Sequence, residues 1–203
     1  MSTRSENEGI TALLLAGGQG SRMGGVDKGW LELDGVALAE RVAARLRPQA
    51  DTLLISANRN LERYAALGRV VTDAAEFANC GPLAGLEAGL AACETTWLIA
   101  APCDLPLLPE NLAARLLAPL RDGRSQLAVA RSGGQAHPVC MALSISLLPS
   151  LRDYLRGGGR RVREWQAREN ALAVDFDDAP QAFRNLNSPE DLARLEEEWR
   201  NPA

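Results

Sequence analysis

Histidine and cysteine are scarce in this chain of 203 residues, which holds one histidine, His137, and four cysteines. The cysteines are widely spaced and form no C-x-x-C pair, so the sequence predicts neither a zinc site nor a disulfide framework. No apolar run approaches the roughly 18 residues that a membrane-spanning helix needs, and the polar start MSTRSENEGI is unlike a signal peptide. We therefore expect a soluble, cytoplasmic protein with no membrane partner.

Positive charge is also in short supply, because 26 acidic residues outnumber 22 basic ones. The net charge of -4 gives no general attraction for nucleic acid, so any polyanion must be bound by a local cluster. Hydrophobic residues make up 46% of the chain, which is enough for one well-formed core. We expect a single domain that spans residues 1–203.

Glycine is concentrated in the stretch LLLAGGQGSRMGGVDKG, residues 13–29, where a predicted buried strand leads into a loop with Arg22 and Lys28. Lys28 is not followed by Ser or Thr, which excludes a P-loop, and Met23 occupies the third glycine position of a dinucleotide fingerprint. Glycines let backbone amides approach phosphate oxygens, and the two basic side chains add positive charge. The loop therefore predicts a phosphate-binding site of another kind.

Short apolar runs alternate with helical patterns in the first half of the chain, which is typical of βαβ units and a parallel sheet. The second half predicts a mixed arrangement, with antiparallel strands on either side of the turn SGGQ at residues 132–135. Together these patterns predict an α/β fold with a mostly parallel mixed sheet. The predicted strands are 11–15, 52–56, 69–71, 97–101, 126–130 and 138–144, and the predicted helices are 37–46, 61–67, 83–92 and 110–117.

The sequence NSPED near the end of the chain predicts the start of a last helix. Ser188 is the expected N-cap, Pro189 suits the first helical position, and Asp191 completes a capping box. The expected buried stripe of this helix is Leu192, Leu195 and Trp199.

Polar residues follow each of the first four main predicted strands. Ligands of open α/β sheets bind beyond the carboxyl ends of the strands, so these residues should converge on one crevice. Asp104 follows the buried run WLIAAPC, and a carboxylate placed beside phosphate oxygens is a favourable ligand for Mg²⁺. Asp104 is therefore the predicted metal ligand, although an Asp after proline also suits a helix cap.

Several motifs resemble, in order, those of the molybdenum cofactor guanylyltransferases of the nucleotidyltransferase superfamily. They are LAGGQGSRMGGVDKG, SANR at 56–59, GPLAG at 81–85, PCD at 102–104, HP at 137–138 and NLNSPEDL at 185–192. The resemblance covers nearly the whole chain and implies a Rossmann-like, three-layer αβα nucleotidyltransferase fold. It further implies transfer of GMP from Mg-GTP to the terminal phosphate of molybdopterin cofactor, which forms molybdopterin guanine dinucleotide and pyrophosphate.

The resemblance also implies roles for individual residues of the amino-terminal, GTP-binding half. The implied catalytic residues are Arg22, Lys28 and Asp104, with Mg²⁺ on Asp104. Ser56 stands where the family pattern has an asparagine, and Asp73 could equally begin a turn after its strand. The implied GTP-binding residues are Leu15, Ala16, Gly17, Gly18, Lys28, Ser56, Asp73, Gly81 and Asp104.

The carboxyl-terminal half is expected to bind molybdopterin. Its basic stretch GGGRRVR, residues 157–163, suits a phosphate, although arginines at a helix start are commonly solvated. His137 is expected to be a packed or solvated hairpin residue, and Asn187 could also belong to the cap of the last helix. The molybdopterin-binding candidates are Arg160, Arg161, Asn185 and Asn187. Further expected partners are an accessory GTP-binding protein and the acceptor molybdoenzymes or their chaperones.

The scarcity of histidine agrees with the implied chemistry. An attacking phosphate monoester has a second pKa of about 6 and is mostly dianionic at neutral pH, so no general base is required. Two other enzymatic activities stay open, cytidylyl transfer and sugar-1-phosphate nucleotidyl transfer, and so does a non-catalytic GTP-binding carrier of the cofactor. The motifs LAGG and GPLAG resemble the guanylyl branch rather than the cytidylyl branch.

Overall fold

The computed structural model describes residues 9–16, 27–186 and 188–200, and nine strands lie within these ranges. Seven of these strands form one sheet, and the other two form a separate hairpin. In chain order the strands are β1 (Ile10–Leu15), β2 (Glu32–Leu33), β3 (Val36–Ala37), β4 (Thr52–Ser56), β5 (Arg69–Val71), β6 (Trp97–Pro102), β7 (Leu127–Ser132), β8 (Gln135–Ser144) and β9 (Leu172–Asp175).

The strand order in the large sheet is β5-β4-β1-β6-β8-β7-β9. Strands β5, β4, β1 and β6 are parallel neighbours, whereas β8 runs antiparallel to both β6 and β7, and β9 is parallel to β7. The chain first proceeds from β1 to β4 and β5 and then returns to place β6 on the opposite side of β1. This reversal opens a crevice beyond the carboxyl ends of β1 and β6.

Helices cover both faces of the sheet. Leu13 and Leu14 of β1 are both fully buried, but Leu14 belongs to the core cluster on one face and Leu13 to the cluster on the other. Because both faces are covered, β1 is a continuous apolar run. The helices are α1 (Leu38–Leu46), α2 (Leu61–Ala65), α3 (Pro82–Ala92), α4 (Leu112–Arg121), α5 (Leu148–Arg156), α6 (Val162–Arg168) and α7 (Pro189–Arg200). Helices α1 and α4 contribute to the first cluster and α3, α5 and α6 to the second, which confirms the three-layer α/β fold.

Helix α3 approaches the sheet more closely than side chains on that face would allow. A Cβ atom on Gly85 would lie 2.3 Å from Oγ of Ser56, and one on Gly89 would lie 2.4 Å from Cδ2 of Leu13. Gly81, directly before the helix, has a φ of 65° and a ψ of -148°, a region that glycine alone occupies readily. The motif GPLAG therefore determines where α3 begins and how closely it packs at the edge of the crevice.

The β2–β3 hairpin lies outside the large sheet and packs against α7. Its turn is Asp34-Gly35, with both residues at positive φ, which is the geometry that Asp-Gly pairs favour in tight hairpins. The carboxylate of Glu196 in α7 accepts a hydrogen bond from the backbone N–H of Asp34 at 2.8 Å. The buried leucines of this small core are Leu33, Leu38, Leu186, Leu192 and Leu195.

The sequence predicted the first half of the fold well. The four predicted main strands differ from the observed ones by at most one residue at either end, and the three helices by at most two. In the second half, the helix predicted at 110–117 instead begins at Leu112 and ends at Arg121, with Pro119 inside its last turn. The expected turn is confirmed, since Gly133 and Gly134 join the paired residues Ser132 and Gln135.

Five elements were not predicted, namely β2, β3, α5, α6 and β9. The capping box of α7 is confirmed, because Oγ of Ser188 accepts from N of Asp191 at 3.1 Å and the Asp191 carboxylate accepts from N of Ser188 at 3.1 Å. The expected burial of Trp199 is wrong: the side chain is 41% exposed, with the Arg41 guanidinium 5.4 Å from its ring centroid. In the described part of the chain, none of the helices is long and apolar enough to cross a membrane.

Candidate active site

A cavity of about 1480 Å³ lies at the carboxyl ends of β1, β4, β5 and β6. The start of β8 and a short segment before α7 close its opposite side. The four strand ends therefore converge on one cavity, as the sequence predicted. The polar and charged residues that line it are Lys28, Ser56, Asn58, Arg59, Asp73, Asn79, Asp104, Gln135, His137, Arg163 and Asn185.

The end of β1 is fastened to both of its neighbours. The N–H of Ala16 donates to the carbonyl of Ser56 at 2.9 Å, and the N–H of Cys103 donates to the carbonyl of Leu15 at 3.1 Å. Leu15 and Ala16 both line the cavity. Three further predicted site residues, Gly17, Gly18 and Arg22, lie outside the described residues.

Lys28 and Asp104 bring opposite charges to the cavity. Lys28, the only lysine in the sequence, opens the 3-10 turn Lys28–Trp30, and Asp104 lies two residues after the end of β6. Burial raises the pKa of the Asp104 carboxyl above its usual range, and the charge of Lys28 opposes that rise. A carboxylate with this burial is stabilised by any further cation that approaches it.

Asp104 fits the single-carboxylate binding of a hard divalent ion. The described residues contain no group of three His, Cys, Asp or Glu side chains placed to hold a metal by themselves. Mg²⁺ is commonly bound through one or two carboxylates together with substrate phosphates and water, whereas zinc requires a fuller set of protein ligands. The alternative role of Asp104 as a helix cap is wrong, because α4 begins at Leu112 with Asn111 as its cap position.

Asp73 is held in place by Asn58, which joins the ends of β5 and β4. Nδ2 of Asn58 donates to the Asp73 carboxylate at 2.9 Å, and Oδ1 of Asn58 accepts from the Asp73 N–H at 3.0 Å. Burial raises the pKa of Asp73, the Asn58 amide lowers it and the charge of Glu87 raises it. Sequence reasoning did not select Asn58, although its place in SANR, directly beyond β4, was a usable signal.

Ser56 and Gly81 border the same side of the cavity. Ser56 is buried at the end of β4, and its hydroxyl lies under Gly85 of α3, so a larger side chain at either position would displace the helix. Gly81 stands at the start of α3, where its positive φ turns the chain into the helix. Both predicted GTP-binding residues are thus part of the wall formed by β4 and α3.

The second wall carries aromatic and amide groups rather than a carboxylate. The rings of His137 and Phe183 stack at a centroid distance of 4.5 Å, and a ring nitrogen of His137 lies 2.8 Å from Oγ of Ser132. Burial lowers the pKa of His137, so the neutral ring is favoured. Asn185 lies two residues after Phe183 and also lines the cavity. This wall presents an apolar stack with polar groups around it.

The basic stretch at residues 157–163 contributes Arg163 to the cavity. The guanidinium of Arg160 instead donates to the carbonyl of Leu155 at 2.9 Å, and Arg161 pairs with Glu164 at 2.6 Å. Arg163, which sequence reasoning did not select, donates to the carbonyl of Ala136 at 3.4 Å. The fourth molybdopterin-binding candidate, Asn187, lies outside the described residues.

The two cysteines that line the cavity are poor nucleophiles. Burial, followed by the charge of Asp104, raises the pKa of Cys103 to about 12, and the same causes raise the pKa of Cys140 further. Both thiols therefore stay protonated at neutral pH. The cavity suits chemistry that acts through positioning and charge rather than through a covalent intermediate.

Comparison with known proteins gives a consistent result. The MobA-like NTP transferase domain matches residues 12–171. A curated relative from Cupriavidus metallidurans named molybdenum cofactor guanylyltransferase is 45% identical over 94% of this chain and 96% of its own length. Among solved structures, molybdopterin-guanine dinucleotide biosynthesis protein A from Archaeoglobus fulgidus superimposes with a TM-score of 0.76 at 21% identity, covering 94% of this chain and 98% of that one.

A 4-diphosphocytidyl-2C-methyl-D-erythritol synthase from Anaerococcus prevotii has almost the same structural similarity, with a TM-score of 0.74 at 12% identity, covering 96% of this chain and 97% of that one. The sheet topology is therefore shared by proteins whose names indicate different nucleotides. The fold alone does not determine which base is bound.

Proposed function

Because this chain belongs to the MobA-like NTP transferase family, we propose that it transfers GMP from GTP to the terminal phosphate of molybdopterin cofactor, with release of pyrophosphate. One observation carries the proposal: a single cavity joins a charged wall at the strand ends to an aromatic wall from the second half of the chain. Both substrates of a transfer reaction can thus meet between the two walls. We further propose that residues 1–203 act as one catalytic unit.

The reaction that fits this cavity needs no protein nucleophile. An oxygen of the acceptor's dianionic terminal phosphate attacks the α-phosphorus of GTP, and a new P–O bond forms there. The bond from the α-phosphorus to the oxygen that bridges to the β-phosphate breaks, and its electron pair leaves with pyrophosphate. The main obstacle is repulsion between two anionic groups, which positioned positive charge reduces.

Lys28 and Asp104 can each place positive charge at the phosphates, Lys28 through its own ammonium and Asp104 through a metal ion that it would hold. We propose that the Lys28 ammonium contacts the triphosphate and that Arg22, beyond the described residues, adds charge from the same loop. Asp104 would hold Mg²⁺, and when bound the ion would supply further positive charge at the phosphates. The support for this role is a single half-buried carboxylate that lines the cavity just beyond β6, where burial raises its pKa although the charge of Lys28 lowers it.

The wall at the carboxyl ends of β1, β4, β5 and β6, which we call the nucleotide wall, offers specific partners for a guanine base. We propose that the backbone at Leu15, Ala16, Gly17 and Gly18 contacts GTP, with Ser56, Asp73 and Gly81 along the same wall. A guanine edge presents N1–H and N2–H₂ donors, and the Asp73 carboxylate, oriented by Asn58, is an acceptor for such donors. A site of paired donors and acceptors rejects analogues that leave buried groups unpaired.

The aromatic wall is our proposed acceptor side. The His137–Phe183 stack suits a flat heterocycle such as a pterin, and Asn185 and Arg163 lie beside it to contact polar and anionic groups. Arg160 and Arg161 remain candidates for a longer contact at the rim, as does Asn187. We also propose an accessory GTP-binding protein and acceptor molybdoenzymes or their chaperones as downstream partners.

The direct test mixes the protein with Mg²⁺, molybdopterin cofactor and each of GTP, CTP, ATP and UTP, and follows both pyrophosphate and the dinucleotide. We expect GTP to exceed CTP in kcat/KM by up to about 10⁴-fold. A preference for CTP would replace guanylyl by cytidylyl transfer, an alternative that the shared fold makes worth testing. Turnover with sugar 1-phosphates would indicate that other enzyme class, and GTP binding without pyrophosphate release would indicate a carrier.

A further inference from the structure

Asp27, the residue directly before Lys28, is buried in a network that the proposed reaction does not explain. The residue is 9% exposed, and among the described residues three donate hydrogen bonds to its carboxylate. Oδ1 accepts from the Tyr64 hydroxyl at 2.8 Å and from the Gly29 N–H at 3.2 Å, and Oδ2 accepts from the Asn60 amide at 2.8 Å. The Arg59 guanidinium lies 3.6 Å from the same Oδ2. A charged group buried this deeply is retained only where its bonds are satisfied.

The network fixes the backbone on both sides of Lys28. The N–H of Gly29 is bonded to the Asp27 side chain, and the N–H of Trp30 donates to the Asp27 carbonyl at 3.0 Å. Gly29 lies so close to α2 that a Cβ atom there would be 2.3 Å from the Tyr64 oxygen. The Trp30 ring packs on Tyr64 at a centroid distance of 4.8 Å. The turn that carries Lys28 is therefore clamped from one side by a single phenol.

The same network connects Lys28 to the nucleotide wall. Arg59 and Asn60 lie in the short segment between β4 and α2, which also contains Asn58, the partner of Asp73. Asn60 adopts a left-handed backbone with φ 51°, which directs its amide toward Asp27 at the start of α2. One short segment thus contacts both Asp73 and the residue before Lys28. A shift of this segment would displace both proposed GTP contacts together.

From this geometry we propose that Asp27, held by Tyr64 and Asn60, is a positioning residue that fixes the Lys28 ammonium for nucleotidyl transfer. The expected loss in kcat/KM rests on the proposed function, whereas the expected change in the surroundings of Lys28 does not. Tyr64 acts from behind, since it is fully buried and is absent from the cavity lining of the described residues. Burial and the bond to Asp27 raise the pKa of Tyr64, so its hydroxyl stays protonated and keeps donating.

The test is a double-mutant cycle of Tyr64→Phe and Lys28→Ala, with kcat/KM measured for GTP and molybdopterin cofactor. We expect Tyr64→Phe alone to lower kcat/KM roughly 10-fold, since a misplacement of about 1 Å costs up to about 100-fold. In the Lys28→Ala background the same change should cost less than about twofold, because the group it positions is gone. Equal losses in both backgrounds would show a merely structural role and would overturn the proposal.

Because Lys28 is the only lysine, incorporation of ¹³C-lysine gives one side-chain NMR signal that reports its surroundings without any turnover. Tyr64→Phe and Asn60→Gly should both shift the Lys28 signal, and glycine keeps the left-handed backbone at position 60. The matched control is Thr11→Val, which removes the buried hydroxyl bonded to Thr95 at 2.8 Å at the amino end of β1 and should leave the signal unchanged. An unchanged signal in both test variants would overturn the positioning role, whereas shifted signals in a protein that releases no pyrophosphate would overturn only the proposed function.

Discussion

The two walls of the cavity are built in different ways. The nucleotide wall lies at the carboxyl ends of parallel strands and carries Lys28, Asp73 and Asp104, of which Asp73 is held by the Asn58 amide. The acceptor wall consists of the beginning of an antiparallel strand, β8, together with Phe183 at the end of the 3-10 helix Pro180–Phe183 and the nearby Asn185. The first wall therefore follows from a general rule for α/β sheets, and the second is particular to this topology.

The two walls also differ in the kind of contact that they offer to a substrate. The nucleotide wall supplies the charged groups suited to phosphates, whereas the acceptor wall supplies the stacked rings of His137 and Phe183. Changes to the first wall should therefore affect the chemical step, and changes to the second should affect the affinity for one substrate. The following predictions test that division, from the largest expected effect to the smallest.

Replacing Asp104 by asparagine should abolish most turnover, with a loss of about 10³-fold in kcat or more, because the carboxylate that would hold Mg²⁺ is gone. The measurement is kcat at limiting and saturating Mg²⁺, with circular dichroism to confirm the fold. The control Asp122→Asn removes an exposed carboxylate paired with Arg124 at 3.1 Å and should not change kcat. Near-normal turnover of a folded Asp104→Asn protein at limiting Mg²⁺ would refute the metal assignment.

Replacing Lys28 by alanine should lower kcat/KM by about 10²-fold through the loss of positive charge at the phosphates. Lys28→Arg should restore only part of the activity, because a planar guanidinium does not replace a compact ammonium. Lys28 is the only lysine of a chain whose other Lys and Arg positions are all arginine, which agrees with a specific need for an ammonium at this position. Wild-type kinetics of Lys28→Ala at both low and saturating GTP would show that the lysine is structural.

Replacing Phe183 by leucine should raise the KM for molybdopterin cofactor about 10-fold and leave the KM for GTP unchanged. The reason is that an aromatic stack contributes about 0.5–1.5 kcal/mol beyond its buried area. Steady-state kinetics with each substrate varied in turn measures both constants. An equal rise in both KM values would contradict the division between the two walls.

Replacing His137 by glutamine removes one ring of the proposed acceptor wall, and apart from that effect on binding it should weaken the pH dependence of stability. Burial lowers the pKa of folded His137, so the unfolded chain binds the proton more tightly and stability falls as pH drops through the ordinary histidine range near 6.5. The variant should therefore lose less thermal stability than the wild type between pH 8 and pH 5. Parallel curves for the two proteins would exclude His137 as a contributor.

The sequence predicted the nucleotide wall better than the acceptor wall for a physical reason. A strand end such as Asp104 is marked locally, because an apolar run stops and a polar residue follows. Asn58 also follows an apolar strand, but the sequence analysis selected Ser56 instead. The structure shows that the amide of Asn58 contacts Asp73. The local sequence pattern thus located this wall but did not show which of its side chains contacts Asp73.

The acceptor wall depends on contacts between residues far apart in the chain. Phe183 stacks on His137 near the beginning of β8, and Arg163 rather than Arg160 or Arg161 faces the cavity because of where α6 begins. The basic motif at residues 157–163 identified the segment that reaches the cavity, but the orientation of the helix determines which arginine faces it. Trp199 failed for a similar reason, since helical periodicity does not reveal that the partner surface ends before the last turn.

The attachment of α7 to the β2–β3 hairpin has a consequence for how the protein is made. Helix α7 leaves the ribosome after every other described element, yet it contacts the hairpin that follows Lys28, and the N–H of Leu186 just before it donates to the carbonyl of Asp104 at 3.0 Å. The strands β1, β4, β5 and β6 are all synthesised before this segment, but a domain generally folds as a unit. The contacts of this segment with Asp104 and with the hairpin after Lys28, which border the proposed triphosphate site, therefore form only after the chain has been made through α7.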